Sequence, residues 1–184
     1  MILWVNGPFG SGKSTLVDEL RTRLPDALVF DPEHIGYVLR EIVEVPTGDF
    51  QDLPMWRREV ASFAVGPVQD YGRLLLVPMT LVRPEYLVEI FGAIEAAGVG
   101  VHHVFLDAPR EVIEQRIDGR SFYPDDPTQD VRVRAWCKAR VDACRAAVDA
   151  LPAGTVVLDA TQTPQQLAEA ALAVIGPIGS RSSG

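Results

Sequence analysis

Ile2-Leu3-Trp4-Val5-Asn6-Gly7-Pro8-Phe9-Gly10-Ser11-Gly12-Lys13-Ser14 is the stretch on which the fold turns: an apolar run, then G-x-x-x-x-G-K-S, then a helical pattern. A phosphate-binding loop needs that strand-loop-helix setting. Glycines let successive main-chain N–H groups converge on phosphate oxygens, and the helix adds its positive N-terminal end. Gly7, Pro8, Phe9, Gly10, Ser11, Gly12, Lys13, Ser14 and Thr15 are therefore the candidate nucleotide-binding residues. Lys13 supplies a mobile cation for the β- and γ-phosphates, and the Ser14 hydroxyl is a candidate Mg²⁺ ligand. The motif points to ATP with Mg²⁺, although nothing in it separates ATP from GTP. A plain glycine turn is the alternative.

Outward from that loop, apolar runs alternate with helical ones, the pattern of a parallel sheet covered on both faces. Strands are expected at Ile2–Val5, Ala27–Phe30, Leu74–Pro78, Val101–Leu106 and Thr155–Leu158. Helices are expected near Ser14–Leu24, His34–Glu44, Pro54–Tyr71, Pro84–Ala97, Arg110–Ile117, Val131–Leu151 and Pro164–Ile175. In the Val131 helix, Val133, Cys137, Val141, Cys144, Val148 and Leu151 form one apolar stripe. With Cys137 and Cys144 on a single helix, their Cα atoms stand about 10 Å apart, beyond disulfide reach, so both read as small core residues. The 184 residues suit one domain over 1–178, with a lid about 118–132 and a disordered tail over 179–184.

A net charge of -8 argues against a nucleic-acid partner, whose phosphates require a basic face. No targeting signal is expected, and the longest apolar run, Leu74 to Val82, is too short to span a bilayer. A cytoplasmic protein is expected.

Ligands of open α/β sheets bind beyond the carboxyl ends of the strands, which singles out the residues following each one. Asp31 follows the second strand. It suits a carboxylate that orients an acceptor hydroxyl and takes its proton, or one that serves Mg²⁺; capping the next helix is the competing role. Glu33 and His34 add polar groups there, and Met79 and Thr80 follow the third strand. An ATPase of the motor or switch type carries a carboxylate at that third-strand end, and none stands here. Tyr37, Trp56 and Phe63, with Phe50 and Met55, could wall an acceptor pocket or be ordinary core. Arg116 and Arg120 are placed to clamp migrating phosphates as a lid closes, or else to pair with Glu111 and Glu114 on a solvated face. Arg132 and Arg134 read as solvated. Ala160 and Thr161, after the last strand, are candidates for mostly main-chain contacts to the base.

Trp4 and Asn6 before the loop, Asp31-Pro32-Glu33, Asp49-Phe50-Gln51-Asp52, Pro54-Met55-Trp56-Arg57, Val77-Pro78-Met79-Thr80-Leu81-Val82, Pro84-Glu85-Tyr86 and Val101-His102-His103-Val104 together resemble the bacterial tunicamycin-resistance ATP-binding protein family. The resemblance spans most of residues 1 to about 120. It implies a nucleotide- and shikimate-kinase-like fold, which with the last strand and the small lid read from the residues makes a three-layer αβα P-loop NTPase with a five-stranded parallel sheet in the order 2-3-1-4-5. It also implies protection from tunicamycin, a nucleoside antibiotic, either by ATP-dependent phosphorylation of a hydroxyl, for which Lys13, Asp31, Arg116 and Arg120, read above from their positions, would be catalytic, or by ATP-gated capture. Kinase action on a nucleoside or other small metabolite is the further alternative. The family is also linked to peripheral attachment at the inner membrane face through its C-terminal helix. Here Pro164–Ile175 carries almost no basic residues, and docking against the sheet is the better reading.

Overall fold

In the computed structural model, which describes residues 1–176, β1 (Ile2–Asn6) is the centre of the molecule. It pairs in parallel with β3 (Leu75–Pro78) on one side and β4 (Val101–Asp107) on the other. The short β2 (Leu28–Val29) lies outside β3 and β5 (Val156–Asp159) outside β4, so the order is 2-3-1-4-5 and every pairing is parallel. That is the expected three-layer αβα architecture.

Successive side chains of a strand point to opposite faces, and β1 shows what this does in a sheet covered on both sides. Leu3 and Val5 enter one core with Leu16, Leu20, Leu76, Leu106 and Ile113. Ile2 and Trp4 enter the other with Trp56, Val60, Leu75, Val77 and Ile90. Each such buried side chain contributes about 1.5–3 kcal/mol relative to exposure. The first core is roofed by α1 (Lys13–Arg23), α5 (Arg110–Asp118) and α8 (Pro164–Ile175). The second is roofed by α2 (Glu33–Ile42), α3 (Pro54–Tyr71) and α4 (Pro84–Ala96). Helix α8 begins in a capping box, Thr163 with Gln166, and buries Leu167, Ala168, Ala171 and Ile175 against α1 and the sheet. Among the described residues, no helix is long and apolar enough to cross a membrane.

The long helix expected over Val131–Leu151 is instead two. Helix α6 (Pro127–Lys138) begins earlier, where the Asp126 side chain accepts from Gln129 N at 2.9 Å and Pro127 takes the first turn. Its hydrogen bonding tightens at the end, with Arg140 N donating to Cys137 O, and the chain turns into α7 (Val141–Ala146) and a 3-10 turn, Ala147–Ala150. Cys137, Val141 and Cys144 are all buried, so the apolar stripe faces the core on both sides of the break. The two cysteines thus sit on different helices, and both are free and buried as expected. Burial pushes both thiols up, Cys137 to about 11. The 179–184 tail lies outside the described residues.

Candidate functional site

The phosphate loop hangs from Asn6, the last residue of β1, which is wholly buried. Its Oδ1 accepts from Gly7 N at 2.7 Å and Leu81 N at 2.9 Å, while Nδ2 donates to Leu81 O at 2.5 Å and His103 Nε2 at 3.1 Å. The amide has therefore used all its bonding capacity. Because Thr155 Oγ1 donates to Pro152 O, it accepts from His103 Nδ1 at 2.8 Å, which fixes the imidazole with its proton on Nδ1. Burial holds His103 down to about 4, so it stays neutral at physiological pH. Asn6 thereby ties the start of the loop to the end of β3 and, through His103, to the residues before β5.

Gly7 has a φ of 138°, and a Cβ there would stand 2.6 Å from Leu106 O, so only glycine fits between β1 and β4. Lys13 opens α1 and folds back across the loop. Its Nζ donates to Gly7 O at 2.9 Å, Pro8 O at 3.0 Å and Thr80 Oγ1 at 2.8 Å. All three acceptors are neutral, and burial brings the ammonium down to about 8. Ser11 Oγ is buried with no hydrogen-bond partner among the described residues.

A cleft of about 970 Å³ runs along the loop. Phe9, Gly10, Ser11, Gly12, Lys13, Ser14 and Thr15 line it, together with Asp31, Glu33, Tyr37, Met79, Arg116, Arg120 and Ala160. One Asp31 oxygen accepts from Glu33 N at 2.9 Å, which orients the carboxylate at the mouth of α2 and leaves the second oxygen without a bond among the described residues. Glu33 and Tyr37 lie one turn apart, and the phenol donates to Glu33 Oε2 at 2.9 Å. Arg116 Nη2 donates to Ala160 O at 2.9 Å and Nη1 to Ser11 O at 3.4 Å, bridging the phosphate loop to the residues after β5. Of the two glutamates expected to neutralise it, Glu114 pairs instead with Arg110 at 2.9 Å. The Arg120 guanidinium stacks over Phe122, 4.8 Å from the ring centre.

Other residues read from the sequence lie elsewhere. Trp56 is fully buried and donates to Pro32 O at 3.1 Å, bracing the turn after Asp31. Phe63 is exposed and stacks on Phe30; His34 is exposed beside Tyr37. Gly7 and Pro8 face Lys13 with their carbonyls, and Thr80 stands beneath the loop. Thr161 caps the Asp159 carboxylate with its amide and hydroxyl, beyond the cleft lining.

Several lining residues had no sequence-derived role, Arg40, Gln51 and Trp136, and Arg132, read as solvated, lines the cleft with them. Glu33, Tyr37 and Arg40 follow helical spacing and share one face of α2, so that periodicity could have found Arg40. Gln51 belongs to Asp49-Phe50-Gln51-Asp52, which carried the family resemblance without an assigned role; it lies in a 3-10 turn, Phe50–Asp52, whose Phe50 ring presses on Gly36, where a Cβ would meet it at 2.5 Å. Arg132 joins the cleft, whereas Arg134 is taken by Asp130 at 3.0 Å.

A family model described as an AAA domain matches residues 2–144. No curated protein matches. Among solved structures, the tunicamycin resistance protein of Deinococcus radiodurans is 29% identical, with 95% of each chain covered and a TM-score of 0.67. A sugar kinase from Janibacter sp. HTCC2649 is 22% identical over 95% of this chain and 93% of that one, TM-score 0.64. The APS kinase of Mycobacterium tuberculosis, solved with AMPPNP and APS, is 19% identical over 95% and 96%, TM-score 0.64. The likeness to these last two is one of fold: a P-loop, kinase-like fold.

Proposed function

The chain belongs to the AAA-domain family, whose phosphate loop implies nucleotide binding, and from that premise we propose that it is an ATP- and Mg²⁺-dependent phosphotransferase acting on a hydroxyl of tunicamycin or a related uridine-like compound. One observation carries the reading: a single cleft joins the phosphate loop to the Asp31 carboxylate on one side and to Arg116 and Arg120 on the other. At about 970 Å³ it is at the upper end of ligand pockets, with room for a nucleotide and a small acceptor together.

The donors fit the groups they would hold. The orphaned Ser11 hydroxyl, the loop amides and an ammonium bonded only to neutral oxygens suit polyphosphate. The Ser14 hydroxyl is a hard oxygen donor of the kind that would hold Mg²⁺ along with phosphates, and the second oxygen of Asp31 is free either to serve the metal or to take the acceptor's proton, the role followed below. When bound, Mg²⁺ would neutralise charge on the phosphate oxygens. Asp31 orients the acceptor hydroxyl and takes its proton as the hydroxyl oxygen bonds to the terminal phosphorus. The bond from that phosphorus to the bridging oxygen breaks, and ADP leaves. Lys13, with Arg116 and Arg120, balances the charge of the migrating phosphoryl group. The lid, about residues 118–132, would close over it. Incubating the protein with ATP, Mg²⁺ and tunicamycin should give a product heavier by one phosphoryl group in mass spectrometry; its absence overturns the reading.

ATP-gated capture of the drug is the second reading, and it is favoured by Thr80 standing where a hydrolysing ATPase has a carboxylate. Calorimetry distinguishes the two, since capture gives drug binding strengthened by ATP with no turnover.

A further inference from the structure

We propose that Thr80 and Gln51 are positioning residues that hold the Lys13 ammonium in place for phosphate, acting through Lys13 rather than touching the nucleotide. The inference deepens the phosphotransferase reading and rests on it. Thr80 is almost fully buried, and its hydroxyl bridges the two parts of the loop. It accepts from Lys13 Nζ at 2.8 Å and donates to Gly7 O at 2.8 Å. The donated proton leaves the lone pairs of Oγ1 facing the ammonium, so the hydroxyl is oriented as an acceptor. A carboxylate in the same place would pair with Lys13 and cancel the charge that phosphate needs, whereas a neutral hydroxyl aims the ammonium without neutralising it.

The Thr80 main chain is fixed in turn. Its carbonyl accepts from Gln51 Nε2 at 2.9 Å, and the residues on either side are tied to β1, Met79 N to Val5 O at 3.0 Å and Leu81 N to Asn6 Oδ1 at 2.9 Å. Gln51 is itself anchored at both ends of its backbone. Its N–H donates to Asp49 Oδ1 at 3.0 Å, and its carbonyl accepts from Arg57 Nη1 at 2.7 Å. Arg57 is buried, paired with Glu89 at 2.5 Å and stacked over Tyr86 at 4.3 Å. The hydrogen bonds are therefore continuous from the α3–α4 interface through Gln51 and Thr80 to Lys13. Since Gln51 also lines the cleft, the acceptor wall and the phosphate loop share one anchor.

The test compares Thr80→Val, Thr80→Ser, Gln51→Ala and Lys13→Met in the full chain. In calorimetric titrations with AMPPNP and Mg²⁺, Thr80→Val should bind about tenfold more weakly, as expected for one lost hydrogen bond to a charged group. Thr80→Ser should restore binding, and Gln51→Ala should lose about threefold. Denaturant unfolding of the unliganded proteins supplies a double-mutant cycle for Thr80→Val and Lys13→Met. Acting through Lys13 requires non-additivity, with Thr80→Val costing less stability in the Lys13→Met background than in the native one. Additive costs, or unchanged AMPPNP affinity in Thr80→Val, overturn the inference. Loss of AMPPNP binding by the unmutated protein would instead overturn the phosphotransferase reading.

Discussion

The two walls of the cleft are built in opposite ways. The phosphate-loop wall is suspended from Asn6, a buried side chain with four bonds, and closed by main-chain approaches that only glycine permits. The facing lip, from Asp118 through α6, hangs on one carboxylate: Asp130 accepts from Phe122 N at 2.6 Å and Tyr123 N at 3.0 Å and pairs with Arg134. Its other ties are Cys137, buried in the first core, Phe122 and Val133 packed against that core, largely exposed ion pairs such as Lys138 with Asp118, and the edge-on contact of Trp136 with Phe9. Exposed pairs are worth little, about 0–1 kcal/mol. Rigidity on one side and light tethering on the other are what a fixed phosphate site beneath a closing lip requires.

The sharpest way to break the comparison is at Lys13, where both the loop and the ligand make demands on one ammonium. Lys13→Ala should cost AMPPNP affinity about a hundredfold or more and melting temperature only modestly, since the fold loses hydrogen bonds to three neutral oxygens, Gly7 O, Pro8 O and Thr80 Oγ1, while the ligand loses a charge. A large fall in melting temperature with affinity retained would mean that the lysine is a strut of the fold. Asn6→Ala should do the reverse. It strands Gly7 N, Leu81 N, Leu81 O and His103 Nε2 in a buried place, for about 4 kcal/mol of unfolding free energy. Denaturant titration reads this directly, and a loss below about 1 kcal/mol would show that the loop is not suspended as described.

The same contrast explains what was legible in the sequence. The loop was readable because its conformation is local: glycines at fixed spacing, a strand before and a helix after. A parallel sheet covered by helices on both faces followed from short apolar runs alternating with helices, whereas the strand order came with the family resemblance. The lip was misread because the stripe from Val133 to Leu151 is continuous, and Lys138-Ala139-Arg140-Val141 contains no glycine or proline to mark the turn. Asp126-Pro127 was a readable helix start that the stripe obscured. Gln51 stood in a segment that carried the resemblance, but its role gave no local signal, because its bond to Thr80 joins residues 29 apart through a 3-10 turn that only tertiary packing defines.

The smallest expected effect tests whether Asp130 organises the lip alone. The hydrogen bonds from Tyr123 N and Phe122 N, then Arg134, hold its carboxyl below the usual 3.8. A depressed carboxyl adds stability that is fully present above pH 3.8 and is lost as pH falls through the folded value. Asp130→Asn keeps an acceptor oxygen but loses the charge, so at pH 7 the amides of Phe122 and Tyr123 should exchange with solvent faster, by about three- to tenfold, while the amide of Gly7 is unchanged. Once the pH falls below the folded value, itself under 3.8, the native and variant proteins should converge, because the native carboxyl is then also neutral. Equal acceleration at Gly7 would mean that the two walls form one cooperative unit. Acceleration confined to Phe122 and Tyr123 places the yielding element in the lip, where closure over a bound nucleotide can draw on it without disturbing the loop.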